Sequence, residues 1–323
     1  MYDVVTFGEG FVRLSPPGRL RLEQTHSLQL CVGGAELGVA AACSRLGLRT
    51  AWVSRVLRHP LGRMIVNAAR EHGVDVSHVI WTDDGRAPLC FAELGAMPRG
   101  GLTLWDDGDS ALSRISGEEV DWSFLSAARL VHVGADTPAL SDGAAEATRA
   151  ALARARSQGC KVSFHLHSVR RQRSEDVLGL YEGLMECVDV LIADAADAQD
   201  AFGAEGDAAG VARQLKERFA LDAVAVPART SRGFWHGTWT GIALGDELYT
   251  DRTHDLEIVD PGGSVDAFAA GIIWGYLRED LQVGLRYANA LAAIKHTHPG
   301  ELCYFTEEEI GEQIQAGGPS IER

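Results

Sequence analysis

The chain has 323 residues, 46% hydrophobic and 23% charged, which suits one large α/β domain with a minor appendage or two ordinary domains. A net charge of −15 and a pI near 5.1 argue against nucleic acid as a partner, since its phosphates would meet a like-charged surface. The six cysteines lack CxxC spacing and read as small buried hydrophobes of a reducing cytoplasm, and no apolar run approaches the roughly 20 residues of a membrane span.

In chain order, Met1 to Gly10 reads as strand and turn rather than a signal sequence, with Val4-Val5-Thr6-Phe7 as the buried strand. Val39 to Leu46, Thr50 to Val53 and Met64 to His72 continue an alternation of apolar runs and alanine-rich helical stretches. The rhythm returns in Leu130-Val131-His132-Val133, the helix around Gly143 to Gln158, the strand Lys161 to Leu166 and the run Val188 to Ala193. Such repetition predicts parallel βαβ units in a doubly wound α/β sheet. Leu20 to Val32 and Leu89 to Trp105 break the rhythm with alternating residues and Gly/Pro punctuation, so they are expected as a small antiparallel β lid. One domain over 1–315, with lid excursions at about 20–32 and 89–105 and a frayed tail at 316–323, is the predicted organisation.

Two glycine motifs point to chemistry. Val259-Asp260-Pro261-Gly262-Gly263-Ser264-Val265-Asp266 leads into a small-residue helix, whose free N–H groups and partial positive charge suit a transferring phosphoryl group. Asp266 is placed to take the proton of an attacking hydroxyl. A plain glycine turn followed by an ordinary first-turn acid would look the same. Earlier, Gly33-Gly34 precedes a helix, and bare backbone there lets a polyhydroxyl ligand approach, although double glycines also serve tight strand-to-helix packing.

With both motifs in this order, the sequence from about Tyr2 to Glu309 resembles the PfkB, or ribokinase-like, carbohydrate kinases. Gly8-Glu9, Leu14-Ser15-Pro16-Pro17-Gly18, Gly33-Gly34-Ala35-Glu36-Leu37, Val53-Ser54-Arg55, Pro60-Leu61-Gly62 and Arg70-Glu71-His72-Gly73-Val74-Asp75 are similar to the 2-keto-3-deoxygluconate kinase branch. The resemblance implies a mainly parallel central sheet with a β lid, ATP and Mg²⁺ as cofactors, a small sugar-like substrate, no membrane, and a homodimer formed through the lid. It implies Asp266 as base, Gly263, Ser264 and Val265 as the anion turn, and Arg229 as a phosphate contact. Ala293 and His296 border adenine, Asp194 and Asp197 act on magnesium through water, and Gly33 and Gly34 meet the sugar.

The departures fall at positions that would carry chemistry. Val265 stands where the family has glycine before its acid; a left-handed backbone there would cost on the order of 1–3 kcal/mol, so the turn is expected to change shape. Cys90, Trp105 and Asp107 replace two tyrosines and an arginine of the acceptor pocket. The Asp-x-Asn signature and its arginine become His165-Leu166-His167 and Val169, with Arg170 one position away from the missing role. Pro227 replaces a threonine and His59 an acid or asparagine. His165 and His167 share one strand face; with Asp194 or Asp197 they have the donors of a transition-metal site, but a polar pair is the expected reading, and no metal ligand is assigned. Two activities follow: an ATP-dependent kinase with an altered acceptor pocket, or a catalytically inactive homologue kept for binding or regulation.

Overall fold

The computed structural model describes residues 1–169 and 174–316. Arg170 therefore lies outside the described residues, as does the expected frayed tail beyond Ala316. The first half runs β1 (Tyr2–Phe7), β2 (Phe11–Ser15), β3 (Gln29–Gly33), α1 (Ala35–Arg45), β4 (Thr50–Val53), β5 (Arg55–Leu57), α2 (Pro60–Glu71), β6 (Ile80–Thr82), β7 (Leu89–Glu93), β8 (Leu102–Asp106), β9 (Ala128–Gly134) and α3 (Asp142–Ser157). The second half runs β10 (Lys161–Leu166), α4 (Glu175–Leu184), β11 (Val190–Ala193), α5 (Ala195–Phe202), α6 (Ala208–Phe219), β12 (Ala223–Ser231), β13 (His236–Leu244), β14 (Leu248–Thr250), β15 (His254–Glu257), α7 (Ser264–Leu277), α8 (Leu281–Lys295) and α9 (Glu307–Ala316).

The main sheet has the order β4-β1-β9-β10-β11-β12-β13-β14, with β15 also paired to β13. Strands from β4 to β12 are parallel and buried on both faces, which explains their near-continuous apolar runs. The pleat sends alternate residues to two cores. Val5, Phe7, Val131, Val133, Val162, Phe164 and Leu166 pack on the α3 side. Val4, Leu130, Val190 and Ile192 pack with α1, α7 and α8 on the other. Each fully buried Leu, Val or Phe contributes about 1.5–3 kcal/mol of transfer free energy.

A separate four-stranded sheet has the order β3-β2-β7-β8. Gln29–Gly33, Leu89–Glu93 and Leu102–Asp106 lie there, while Leu22–Gln24 forms a 3₁₀ turn. Phe11–Ser15 also belongs to this sheet, which the sequence rhythm did not indicate. Cross-strand register gives it two faces. Leu30, Leu14, Phe91 and Leu104 form one apolar row, and Cys31, Arg13, Cys90 and Trp105 form the other. The antiparallel edge, β12 to β15, was not read from the sequence either. Pro227 sits within β12, two residues past the last position paired to β11, where the missing N–H breaks no bond to that parallel neighbour.

Candidate active site

The site gathers where β1, β9, β10 and β11 end, the edge at which open α/β sheets bind ligands. From the other side comes α7. Its N-cap Gly263 is left-handed, φ +71°, and a Cβ there would lie 1.7 Å from the Glu301 carbonyl oxygen, so glycine is required on both counts. No side chain caps this helix, which leaves first-turn N–H groups for another acceptor. Ser264 begins the helix and turns its hydroxyl back to the Pro261 carbonyl, 2.8 Å away. Val265 is the second helical residue and is absent from the positive-φ positions. The strain expected of valine therefore does not arise, because the left-handed conformation sits at Gly263.

A buried charge network fixes the turn from below. The Arg13 guanidinium donates to both Asp260 and Glu301, while Asp260 accepts N–H bonds from Gly262 and Gly300, each 3.0 Å. Burial alone would raise the Asp260 carboxyl, but Arg13 outweighs it and holds that carboxyl below its ordinary range. Glu301 is raised by burial despite Arg13. Lys295, wholly buried at the end of α8, is pushed down by burial against the pull of Asp260 and Glu301.

Asp266 lies one turn into the cleft with 17% of its side chain exposed. Gly38 of α1 makes room for it, since a Cβ there would fall 2.9 Å from Oδ2. Burial first, then Glu301 and Glu36, push the Asp266 carboxyl well above the ordinary range. Glu36, also raised by burial, accepts the Gly134 N–H at 2.8 Å and the Thr137 hydroxyl at 2.6 Å. This ties α1 to the end of β9. Burial lifts Asp136 to about 7, and its Oδ2 lies 3.6 Å from His167 Nδ1.

Parity on β9 and β10 puts His132, His165 and His167 on the α7 face. His165 Nδ1 is 3.8 Å from Asp266 Oδ1, and its ring centroid is 4.6 Å from that of His167 and 6.4 Å from that of His132. Burial lowers the pKa of all three rings; that of His132 falls to about 3. Among the described residues no three His, Cys, Asp or Glu side chains gather as a metal site.

Gly34 caps α1 at φ +145°, pressed against the Glu9 carbonyl, and Gly33 ends β3 against Phe11. A small opening of about 40 Å³ is lined by Glu9, Phe11, Gly34, Glu36, Trp105, Asp107 and Asp136 among others. Cys90 is buried one strand over, paired in register with Trp105, whose ring meets Phe11 edge-on at 4.9 Å. Val169 is part of the α3-side core and gives its N–H to Asp197, so its side chain is not offered to a ligand. Asp194 caps α5 through the Asp197 N–H at 2.8 Å, and both Asp197 oxygens accept N–H groups, from Ser168 and Val169. These two acids hold the β10 exit in place, a task the magnesium expectation did not foresee. Similarly His59 caps α2, accepting from Leu61 and Gly62 as an acid or asparagine would.

On the nucleotide side Arg229 is exposed on β12, and Ala293 lies near the end of α8. His296 has no exposed surface. Its carbonyl accepts N–H bonds from Val259 and Asp260, and its Nδ1 lies 2.7 Å from the Ala292 carbonyl. The main chain of His296 thus holds the approach to the Gly262–Gly263 turn, while its ring packs against Trp239 and the Ala292 carbonyl rather than standing open on the nucleotide side. Arg13, Glu36, Asp136, His132 and Glu301 were not singled out from sequence, because only cross-strand and cross-helix adjacency makes them neighbours of Asp266.

The pfkB family carbohydrate kinase pattern matches residues 1–303. The chain belongs to that family. It is 32% identical over 99% of its length to a 2-dehydro-3-deoxygalactonokinase of Haloferax volcanii, of which 99% is covered. It is also 26% identical over 93% of its length to a 2-dehydro-3-deoxygluconokinase of Bacillus subtilis, of which 91% is covered. The crystal structure of 2-dehydro-3-deoxygluconokinase from Thermotoga maritima superposes with a TM-score of 0.94 at 30% identity, over 97% of this chain and 98% of that one. This pfkB sugar kinase therefore has the doubly wound α/β sheet that its strand rhythm predicts and the ribokinase-like fold that the resemblance implies, and no helix among the described residues is long and apolar enough to cross a membrane.

Proposed function

We propose that this chain transfers a phosphoryl group from ATP to a hydroxyl of a small sugar-like acceptor in the cytoplasm, with Asp266 as general base. The observation that carries the reading is the uncapped start of α7 beside Asp266. ATP, with Mg²⁺, supplies the phosphoryl group when bound. The first-turn N–H groups of α7, from Gly263, Ser264 and Val265, face the charge that builds on that group, and Arg229 adds a cation. Asp266 removes the acceptor's hydroxyl proton as the oxygen forms its bond to phosphorus and the leaving oxygen departs with its bonding pair. Asp194 and Asp197 would act on magnesium through waters, since carboxylate oxygens that accept one backbone N–H keep lone pairs for a water.

The acceptor pocket is proposed to be altered. Gly33 and Gly34 admit the ligand, Trp105 and Phe11 wall it, and Asp107, Asp136, Glu36 and His167 supply acceptors for sugar hydroxyls. With Asp136 and Glu36 facing the opening, a sugar acid such as those named for the relatives is expected to bind less well than a neutral sugar. A homodimer through the apolar row Leu30, Leu14, Phe91 and Leu104 belongs to the same reading. The test is a thermal-shift titration with ATP and magnesium, followed by a turnover screen over neutral sugars, nucleosides and sugar acids. ATP-dependent stabilisation with turnover on a neutral acceptor is expected. Micromolar calorimetric binding of 2-keto-3-deoxygluconate would overturn the pocket reading, and background turnover throughout would leave the inactive homologue.

A further inference from the structure

His165 lies on the inner face of the sheet that also buries Thr6, His132 and Ser163, and its neighbours on β11 and β9 in register are Ile192 and Gly134. Only 1% of the residue is exposed, and its Nδ1 has no hydrogen-bond partner. A buried donor or acceptor left unpaired costs about 1–3 kcal/mol, and what sets this one apart from the other unpaired atoms, such as Thr6 Oγ1 and Trp52 Nε1, is the carboxylate it faces. The group this nitrogen faces is the Asp266 carboxylate, 3.8 Å away. Catalytic contacts of this kind are often long in the unliganded state and tighten in the reacting complex.

We propose that His165 is a positioning residue for Asp266: its neutral imidazole donates Nδ1–H to the carboxylate and holds it ionised and aimed at the acceptor hydroxyl. This rests on the kinase reading for its purpose but not for its detection. Every other group acting on Asp266 makes the need plain. From α1 comes Glu36, from the end of β9 Asp136, and from beyond α8 Glu301, all carboxylates, against the cation Lys295. Arg229 of β12 acts on His296 instead. His167 and His132 flank His165 and disfavour its protonation, which keeps the ring a neutral donor rather than a rival base. Because no other side chain of this cluster, among the described residues, donates to Asp266, one neutral N–H has a large say in whether the carboxyl can lose its proton.

The test follows the ¹³C-carboxyl signal of Asp266 through a pH titration of the unliganded protein, with the signal identified by its loss in Asp266→Asn. His165→Phe keeps a ring but no donor, and His165→Asn restores an N–H. The apparent pKa of Asp266 is expected to rise by about one unit in His165→Phe and to stay near the native value in His165→Asn. The acid limb of kcat/KM moves in parallel. A merely structural role would lower kcat at every pH and leave the limb in place. Equal titrations in all three proteins overturn the proposal. Should His165→Phe not fold, ¹⁵N-imidazole spectra of the native protein decide: an Nδ1–H tautomer supports the proposal, and an Nε2–H tautomer overturns it. Background turnover with the titration shift intact sinks the kinase reading alone, whereas turnover with an unmoved titration sinks the dyad alone.

Discussion

Two buried polar clusters flank the same glycine turn, and they are built on opposite principles. On one side Arg13 bridges Asp260 and Glu301, and the Asp260 carboxylate also takes N–H groups from Gly262 of the turn and from Gly300. On the other, Asp266, Glu36 and Asp136 meet three neutral histidines. A buried acid whose cation is distant is pushed towards its titration point, which suits proton transfer and costs stability; an acid gripped directly, as Asp260 is by Arg13, is held ionised and fixed in shape, although Glu301 on the same guanidinium is still raised by burial. The first cluster is a brace and the second a working surface. The difference predicts which substitutions harm folding and which harm only turnover.

The largest effect tests the working surface. Asp266→Asn keeps the shape but cannot take a proton, so kcat is expected to fall by about 10²–10⁴-fold while nucleotide affinity by calorimetry is unchanged. Its unfolding free energy should hold or improve, since a costly buried acid has become neutral. A loss of several kcal/mol in urea would mean that Asp266 braces the fold after all.

Arg13→Met should do the reverse. Removing the guanidinium leaves two buried carboxylates uncompensated, and breaking such a pair typically costs about 3–5 kcal/mol. The check is a chemical denaturation midpoint, with the triple change Arg13→Met, Asp260→Asn and Glu301→Gln recovering most of the loss. If the single change is harmless, the distinction between brace and working surface fails.

A smaller effect is expected at Val265. Because the left-handed residue is Gly263, Val265→Gly relieves nothing and loses helix-forming preference, about 0.5–1 kcal/mol by denaturation with turnover little changed. A marked gain in activity would show that bulk beside the helix start, rather than backbone strain, limits the phosphoryl site.

These contrasts also explain what the sequence made legible. The parallel strands and helices could be read because burial on both faces of a sheet leaves a signal within each short run. The glycine turn was legible because backbone constraints act on adjacent residues. The small sheet was read in part: Phe11–Ser15 joins it through pairing with distant strands, and that pairing leaves no local mark. Arg13 looks like an ordinary strand arginine until Asp260 and Glu301 arrive from the far end of the chain. His165 and His167 were visible as a pair on one face, but their nearness to Asp266 required the sheet and α7 to be assembled.

The last effect concerns pH, where the two clusters should pull in opposite directions. Asp260 is depressed in the folded state, so its contribution is present above the unfolded carboxylate pKa and is lost as pH falls below about 4. Asp136 is raised to about 7, so the folded state binds the extra proton, and stability from this group declines as pH climbs from about 4 towards 7. Asp136→Asn removes that second slope, because the amide is neutral throughout. Relative to the native protein the variant should therefore gain at pH 8 over its value at pH 4, on the order of 5 °C in Tm for a chain of this size. Scans at the two pH values, in matched ionic strength, measure the difference of differences and cancel any fixed cost of losing the contact with His167. If the gap between variant and native protein is the same at both, Asp136 is ionised throughout and the acceptor side of the cleft already holds a compensating charge.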